Sequence, residues 1–208
     1  NPRYLLFLMA PMTILLDRAN DDQPFLDART VSGSDRVYIG NNNFNASSGH
    51  TGSIDFSTNA ATAAAPAGFS TTSIEKRGTV GQDGPSVRAA SAPDGRAYGA
   101  FLGWRSGGSG PYVSDVVVVR DDAGGTGSTK FGSLIGSDGL AGTKVATGQN
   151  MTFNSTLGTN RAGSSLSIAV DPTDSLTVYV AWGEDGTGGG WTLHLRRSVN
   201  GGATWSSD

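Results

Sequence analysis

Three segments of the chain repeat one pattern, and an internal repeat constrains a fold more than any local propensity does. They are DDQPFLDARTVSGSDRVYIGNNN from Asp21, QDGPSVRAASAPDGRAYGAFLGW from Gln82 and RAGSSLSIAVDPTDSLTVYVAWGED from Arg161. Each has a polar opening, a short apolar run, a turn rich in Asp, Gly, Pro or Ser, and a second run carrying a tyrosine. Those tyrosines, Tyr38, Tyr98 and Tyr179, are 60 and 81 residues apart. Such spacings suit a four-stranded unit with loops of variable length. Serine recurs too: Ser57 and Ser198 each lie 19 residues after their tyrosine, and the second repeat carries VVVVRDDAGG instead.

The runs inside the repeats read as strands. Val178, Val180 and Trp182 alternate with Thr177, Tyr179 and Ala181, and Trp191, Leu193 and Leu195 alternate with Thr192, His194 and Arg196. Period-2 alternation is the signature of a strand with two distinct faces. On this pattern His194 belongs to an outer, solvated face. Val116 to Val119 reads as a short buried strand, and Ala60 to Ala65 as a loop or a single helical turn before Pro66. Composition agrees. The 208 residues include 31 glycines, and a helix interior loses about 1 kcal/mol per glycine, so a long helical bundle is excluded. Aspartate outnumbers glutamate sixteen to two, which favours turns over helices. Disorder is opposed by the recurring β-branched runs. The expected class is all-β, with a two-sheet sandwich as the alternative fold.

Other function classes weaken on counting. The net charge is −3 with only three lysines, which leaves no basic footprint for nucleic acid. With no cysteine there is no disulfide framework. The apolar stretch Tyr4 to Leu16 falls short of the roughly 20 residues of a membrane span and reads as a buried strand. No metal or cofactor is expected. Zinc would need both His50 and His194. Calcium, which accepts oxygen ligands alone, is the ion that Asp17, Asp21 and Asp22, or Asp121 and Asp122, would suit.

The stretch SVNGGATW, Ser198 to Trp205, resembles the Asp-box, S-x-D-x-G-x-T-W, with Asn200 in place of the aspartate and Ser198, Gly202, Thr204 and Trp205 matching. Asn200-Gly201 reads as a tight hairpin turn with positive φ at both residues. Ser198 and Thr204 are placed to bond the turn backbone, and Trp205 to pin the turn to its own sheet. With the strand pattern before it, the chain resembles the sialidase-like (BNR, Asp-box repeat) β-propeller superfamily over nearly its whole length. The resemblance implies a partial propeller of four-stranded antiparallel blades. About three blades of a six- or seven-bladed ring would be present: a remnant at 1–20, blades at 21–80 and 81–160, and an incomplete blade at 161–208. The remaining blades would come from missing sequence or from another chain.

The resemblance also says where a ligand would sit, on the loops entering each first strand and joining the second and third strands. The Asp-box turns would lie on the opposite face. Those loops hold Asp22, Asp83 and Arg161, then His50, Arg105, Tyr112, Glu184 and Asp185, while Arg88 lies in a first strand facing the channel. Sialidases clamp a carboxylate with three arginines and use a tyrosine–glutamate pair and an acidic aspartate. Tyr112, Glu184 and Asp83 are the catalytic candidates, and Asp22, Arg88, Arg105, Arg161 and Asp185 the ligand-binding ones. No Phe/Tyr-Arg-Ile-Pro motif supplies the first arginine, and the chain has only two glutamates. The expectation is therefore an exported or cell-surface module that binds carbohydrate or another surface ligand. A sialidase-like glycoside hydrolase and a structural surface protein are the alternatives.

Overall fold

The computed structural model describes residues 16–45, 51–62, 68–77, 87–106, 112–151, 165–185 and 190–208. Among these residues the chain is all-β, with eleven strands and no helix. They are β1 (Asp21–Val31), β2 (Ser34–Asn43), β3 (Thr51–Ser57), β4 (Ser70–Ser73), β5 (Arg88–Ser91), β6 (Ala97–Ser106), β7 (Tyr112–Asp121), β8 (Thr143–Met151), β9 (Ser167–Val170), β10 (Val178–Asp185) and β11 (Trp191–Ser198). All pairings between them are antiparallel and consecutive in sequence. They give a first sheet β1-β2-β3-β4, a second β5-β6-β7-β8 and a third β9-β10-β11. These are three meanders, not the two sheets of a sandwich.

The repeated tyrosines hold one register. Tyr38 pairs with Phe56, Tyr98 with Arg120 and Tyr179 with Arg197. The residue before each tyrosine pairs with the last residue of the third strand, giving Val37 opposite Ser57, Ala97 opposite Asp121 and Val178 opposite Ser198. At all three ends the side-chain oxygen accepts the backbone N–H two residues on. Ser57 Oγ takes Asn59 N at 3.4 Å, Asp121 Oδ1 takes Ala123 N at 2.9 Å and Ser198 Oγ takes Asn200 N at 3.3 Å. Such local bonds turn the chain where a strand must stop.

The sheets stack face to face, and the second is buried on both sides. One core gathers Tyr38, Ile54, Phe56 and Ile74 from the first sheet against Ala97, Phe101, Val117 and Val119 from the second. The other gathers Tyr98, Ala100, Leu102, Val116 and Val118 against Val178, Val180 and Trp182 from the third. That is why β7 reads Val-Val-Val-Val: a strand covered on both faces has no polar side to present. Each fully buried valine contributes about 1.5–3 kcal/mol. First strands meet as well, β1 lying against β5 and β5 against β9.

Several expectations change. The alternation in β11 is present with its faces reversed. His194 and Arg196 point inward, the imidazole stacked on Trp182 at 5.0 Å between centroids, while Leu193 (79% exposed) and Leu195 (58%) face out. In the box-like turn, positive φ falls on Gly201 (68°) and Gly202 (87°), not on Asn200. Asn200 instead binds through its side chain. Its Oδ1 accepts Thr204 N at 2.9 Å and its Nδ2 donates to Thr204 Oγ1 at 2.8 Å. Ser198 Oγ accepts Gly202 N at 2.8 Å. Trp205 reaches past its own sheet, donating Nε1–H to Thr143 Oγ1 of β8 at 3.2 Å. Residues 59–62 form a turn, closed by Thr62 N to Asn59 O at 3.2 Å. The expected N-terminal strand lies outside the described residues except for Leu16.

Candidate functional site

Strand direction sorts the molecule into two ends. The end where β1, β5 and β7 begin and β2, β6 and β10 finish is here the upper end. Asp22 pairs with Asn42 there, Arg88 opens β5, Arg105 lies near the end of β6, Tyr112 opens β7 opposite Met151, and Glu184 and Asp185 close β10. Ser57, Asp121 and Ser198 turn the chain at the lower end. Asp83, Arg161 and His50 lie outside the described residues, and of Tyr112 only the backbone is described.

The backbone is irregular at the top of β1. Asn20 (φ 61°) and Gln23 (φ 55°) both adopt left-handed conformations, and the β1–β2 register shifts between Asp22 and Phe25. Each non-glycine residue there costs on the order of 1–3 kcal/mol, and such strain clusters at binding sites. Asp22 Oδ1 braces the distortion by accepting Gln23 N at 2.8 Å.

Four groups of polar side chains occupy the upper end. In the first sheet Arg18 bonds Asp21, Asn41 Oδ1 (3.2 Å) and Asp55 Oδ1 (2.8 Å), and Asn41 Nδ2 donates to Asp55 Oδ2 at 2.7 Å. Asp55 is 2% exposed. Burial pushes its carboxyl above the ordinary value, against the Thr71 hydrogen bond and the Arg18 charge. On the face turned toward the second sheet, Arg88 lies over the Phe25 ring, 3.0 Å from its centroid, and burial lowers its guanidinium to about 10. In the second sheet Arg105 Nε and Lys144 Nζ hold the two oxygens of buried Asp115 at 3.0 and 3.2 Å, and Gly148 N donates to Asp115 Oδ1 at 3.0 Å. Between the second and third sheets, His194 Nε2 lies 3.1 Å from Glu184 Oε2 and its Nδ1 2.9 Å from Asp208 Oδ2. Glu184 Oε1 accepts Asn150 N at 3.1 Å, and Trp182 Nε1 donates to Gln149 Oε1 at 2.8 Å.

This geometry bears on the chemistry. A carboxylate clamp needs arginine forks turned toward a ligand. Here Arg18 and Arg105 already face carboxylates and Arg88 covers a ring. Both oxygens of Glu184 are engaged by His194 and Asn150, so the carboxylate braces the interface between sheets. Among the described residues no group of three or more His, Asp or Glu side chains is arranged to hold a metal ion. No helix among them is long and apolar enough to cross a membrane. Arg18, Asp55, Asp115, Lys144, His194 and Asp208 belong to these clusters and were not picked as site residues from sequence. For Asp55 and Asp115 there was a signal: each is a lone charge inside an apolar run, SIDFS and VSDVVVV.

Asp208 gives a pH-dependent test. Burial opposes its ionisation, but hydrogen bonds from Arg196 and His194 and their charges outweigh burial and hold the carboxyl below 3.8. The folded state therefore binds this proton more weakly than the unfolded chain. The contribution is present above 3.8 and is lost as pH falls through the lower folded value. Asp208→Asn should lower the urea midpoint at about pH 6, and the difference from the parent should shrink progressively as pH is taken below 3.8.

Comparison with known proteins finds no matching family model, no matching curated protein and no matching solved structure.

Proposed function

We propose that the chain is part of a sialidase-like β-propeller, exported or surface-exposed, that binds glycans or a related surface ligand through the upper ends of its sheets. Each sheet would be a blade, and further blades would complete the ring. The observation that carries the reading is the segregation of the two ends. The locally hydrogen-bonded turns at Ser57, Asp121 and Ser198 lie below. The described candidates, Asp22, Arg88, Arg105, Glu184 and Asp185, lie above, near the strand ends of the stacked sheets. Loops on a rigid scaffold are where binding residues concentrate. Planar carboxylate and guanidinium groups suit sugar hydroxyls, which donate and accept in fixed directions.

Binding without turnover is favoured over glycoside hydrolysis, because both carboxylate oxygens of Glu184 are committed, to His194 and Asn150. A glycan array should return a defined set of ligands, while a fluorogenic sialoside should not be cleaved. Arg105 meets Asp115 through Nε while its side chain stays 49% exposed, so Arg105→Ala should weaken that binding about tenfold or more, the scale of one charge-assisted hydrogen bond. Sialoside turnover that disappears in Glu184→Gln or Tyr112→Phe would overturn the binding reading and leave the hydrolase.

A further inference from the structure

The outer face of the third sheet repeats a docking face that the chain already uses twice. Tyr38 donates its hydroxyl across to Gly124 O of the second sheet's lower turn at 3.0 Å, and Tyr98 donates to Ser175 O beneath the third sheet at 2.7 Å. An arginine on the same face accompanies each. Arg36 Nη1 donates to Gly95 O at 2.8 Å, and Arg120 Nη1 to Gly201 O at 2.7 Å. Both tyrosines are fully buried by these contacts.

Tyr179 holds the same register in the third sheet, with Arg197 opposite it as Arg120 is opposite Tyr98. Side chains alternate between faces. Since Val178, Val180 and Trp182 pack on the second sheet, Tyr179 and Arg197 point the other way. Leu193 and Leu195 share that face, and Trp191 lies at its upper edge, 41% exposed. No described sheet covers it. An apolar set of this kind, rimmed by a cation and a phenol, marks an interaction surface.

The counterpart lies at the other end of the stack. The outer face of the first sheet has a groove of about 340 Å³ lined by Ala28, Arg29, Thr30, Asp35, Val37, Ala60 and Ala61; Arg29 is tied by its Nε to Ser91 O at 3.2 Å. Val37 holds the register of Ala97, the residue that packs against Tyr38 in the second sheet. Ala60 follows Ser57 as Gly124 follows Asp121, so the groove has the small side chains and the turn that seat a tyrosine elsewhere in this chain. Asp35 sets a carboxylate at its rim, opposite in charge to Arg197.

We propose that the outer face of the third sheet docks onto the outer face of the first sheet of a second copy of this chain, with Tyr179 entering the groove and Arg197 meeting Asp35. The contact is head-to-tail. Made twice between two copies, it closes a ring of six sheets, within the four to eight of known propellers. The inference rests on the repeated stacking and is independent of glycan binding.

Sedimentation velocity of the whole chain over a concentration series tests it. The expected result is a concentration-dependent dimer. Leu195→Asp should raise its dissociation constant about 30-fold or more, the loss typical of an interface anchor. Leu195 is exposed in one copy, so far-UV circular dichroism should be unchanged. Arg197→Asp should dissociate the dimer, and Asp35→Arg in the same chain should restore it. A chain that stays monomeric throughout, or a dimer that ignores both Leu195→Asp and the charge exchange, would overturn the proposal. Glycan binding measured on the Leu195→Asp monomer would still be read separately.

Discussion

Trp182→Ala is expected to lower the free energy of unfolding by about 3–5 kcal/mol, the range for deleting a buried tryptophan. The indole is 1% exposed and is the largest fully buried side chain of the molecule's described part. It ties the third sheet to the second in two ways: it fills the core beside Leu102 and Met151, and its Nε1 donates to Gln149 Oε1 of β8 at 2.8 Å. Its face also carries His194 of its own sheet. Arg196 also lies over it, 5.6 Å from the ring centroid, while donating to Val145 O of β8. Alanine leaves a cavity and removes the support for both the His194 and the Arg196 side chains. The stability loss is read by urea denaturation followed by far-UV circular dichroism, since the substitution alters the fluorescence signal. Hydrogen exchange adds a spatial readout. The two cores are separate, so amides of β9–β11 should lose protection well before those of β1–β4. A loss under about 1.5 kcal/mol, or uniform deprotection, would contradict this account of how the third sheet is held.

Trp182 also shows what the sequence could reveal. Its alternation with Ala181 and Gly183 marks a strand with Val178 and Val180 on the same side, and that side is buried. The next strand shows the limit. Alternation says which residues share a face, not which face is covered. In β11 the covered side carries His194 and Arg196, whose flat and aliphatic portions shield Trp182 while their polar tips reach Glu184 and Asp208. Amphipathic side chains can lie either way, and only the neighbouring sheet decides. The same distinction runs through the site. Candidate residues at loop edges, such as Arg105 and Glu184, were legible from punctuation around the strands. Their partners were not, because Asp115 and Asn150 come from other strands brought close only by pairing and stacking. Trp205 makes the point at the lower end: read as a pin for its own hairpin, it instead bonds Thr143 of the sheet beside it.

Gly124→Ala should be nearly as damaging as the loss of Trp182, at about 3 kcal/mol or more. Two costs add. Gly124 has φ +56°, where a residue with a Cβ loses roughly 1–2 kcal/mol. The new Cβ would also lie 2.1 Å from Gly95 O and 2.3 Å from Arg36 Nη1, with Tyr38 Oη at 3.0 Å. Two of these contacts involve backbone or a guanidinium fixed by hydrogen bonds, so the turn must move, and overpacking of this kind costs about 1–3 kcal/mol. Movement would break the link that holds the first sheet on the second, Tyr38 to Gly124 O and Arg36 to Gly95 O. Gly139→Ala isolates the first cost. Gly139 has a comparable φ of +75°, and its Cβ would meet nothing within 4 Å. It should therefore lose only the conformational part, about 1–2 kcal/mol. The excess seen at Gly124, measured as a shift in urea midpoint with unchanged m value, is the energy of the crowded contact between the sheets. Equal losses at the two glycines would mean that the lower turn yields freely and that the tyrosine–carbonyl link does not hold the stack together.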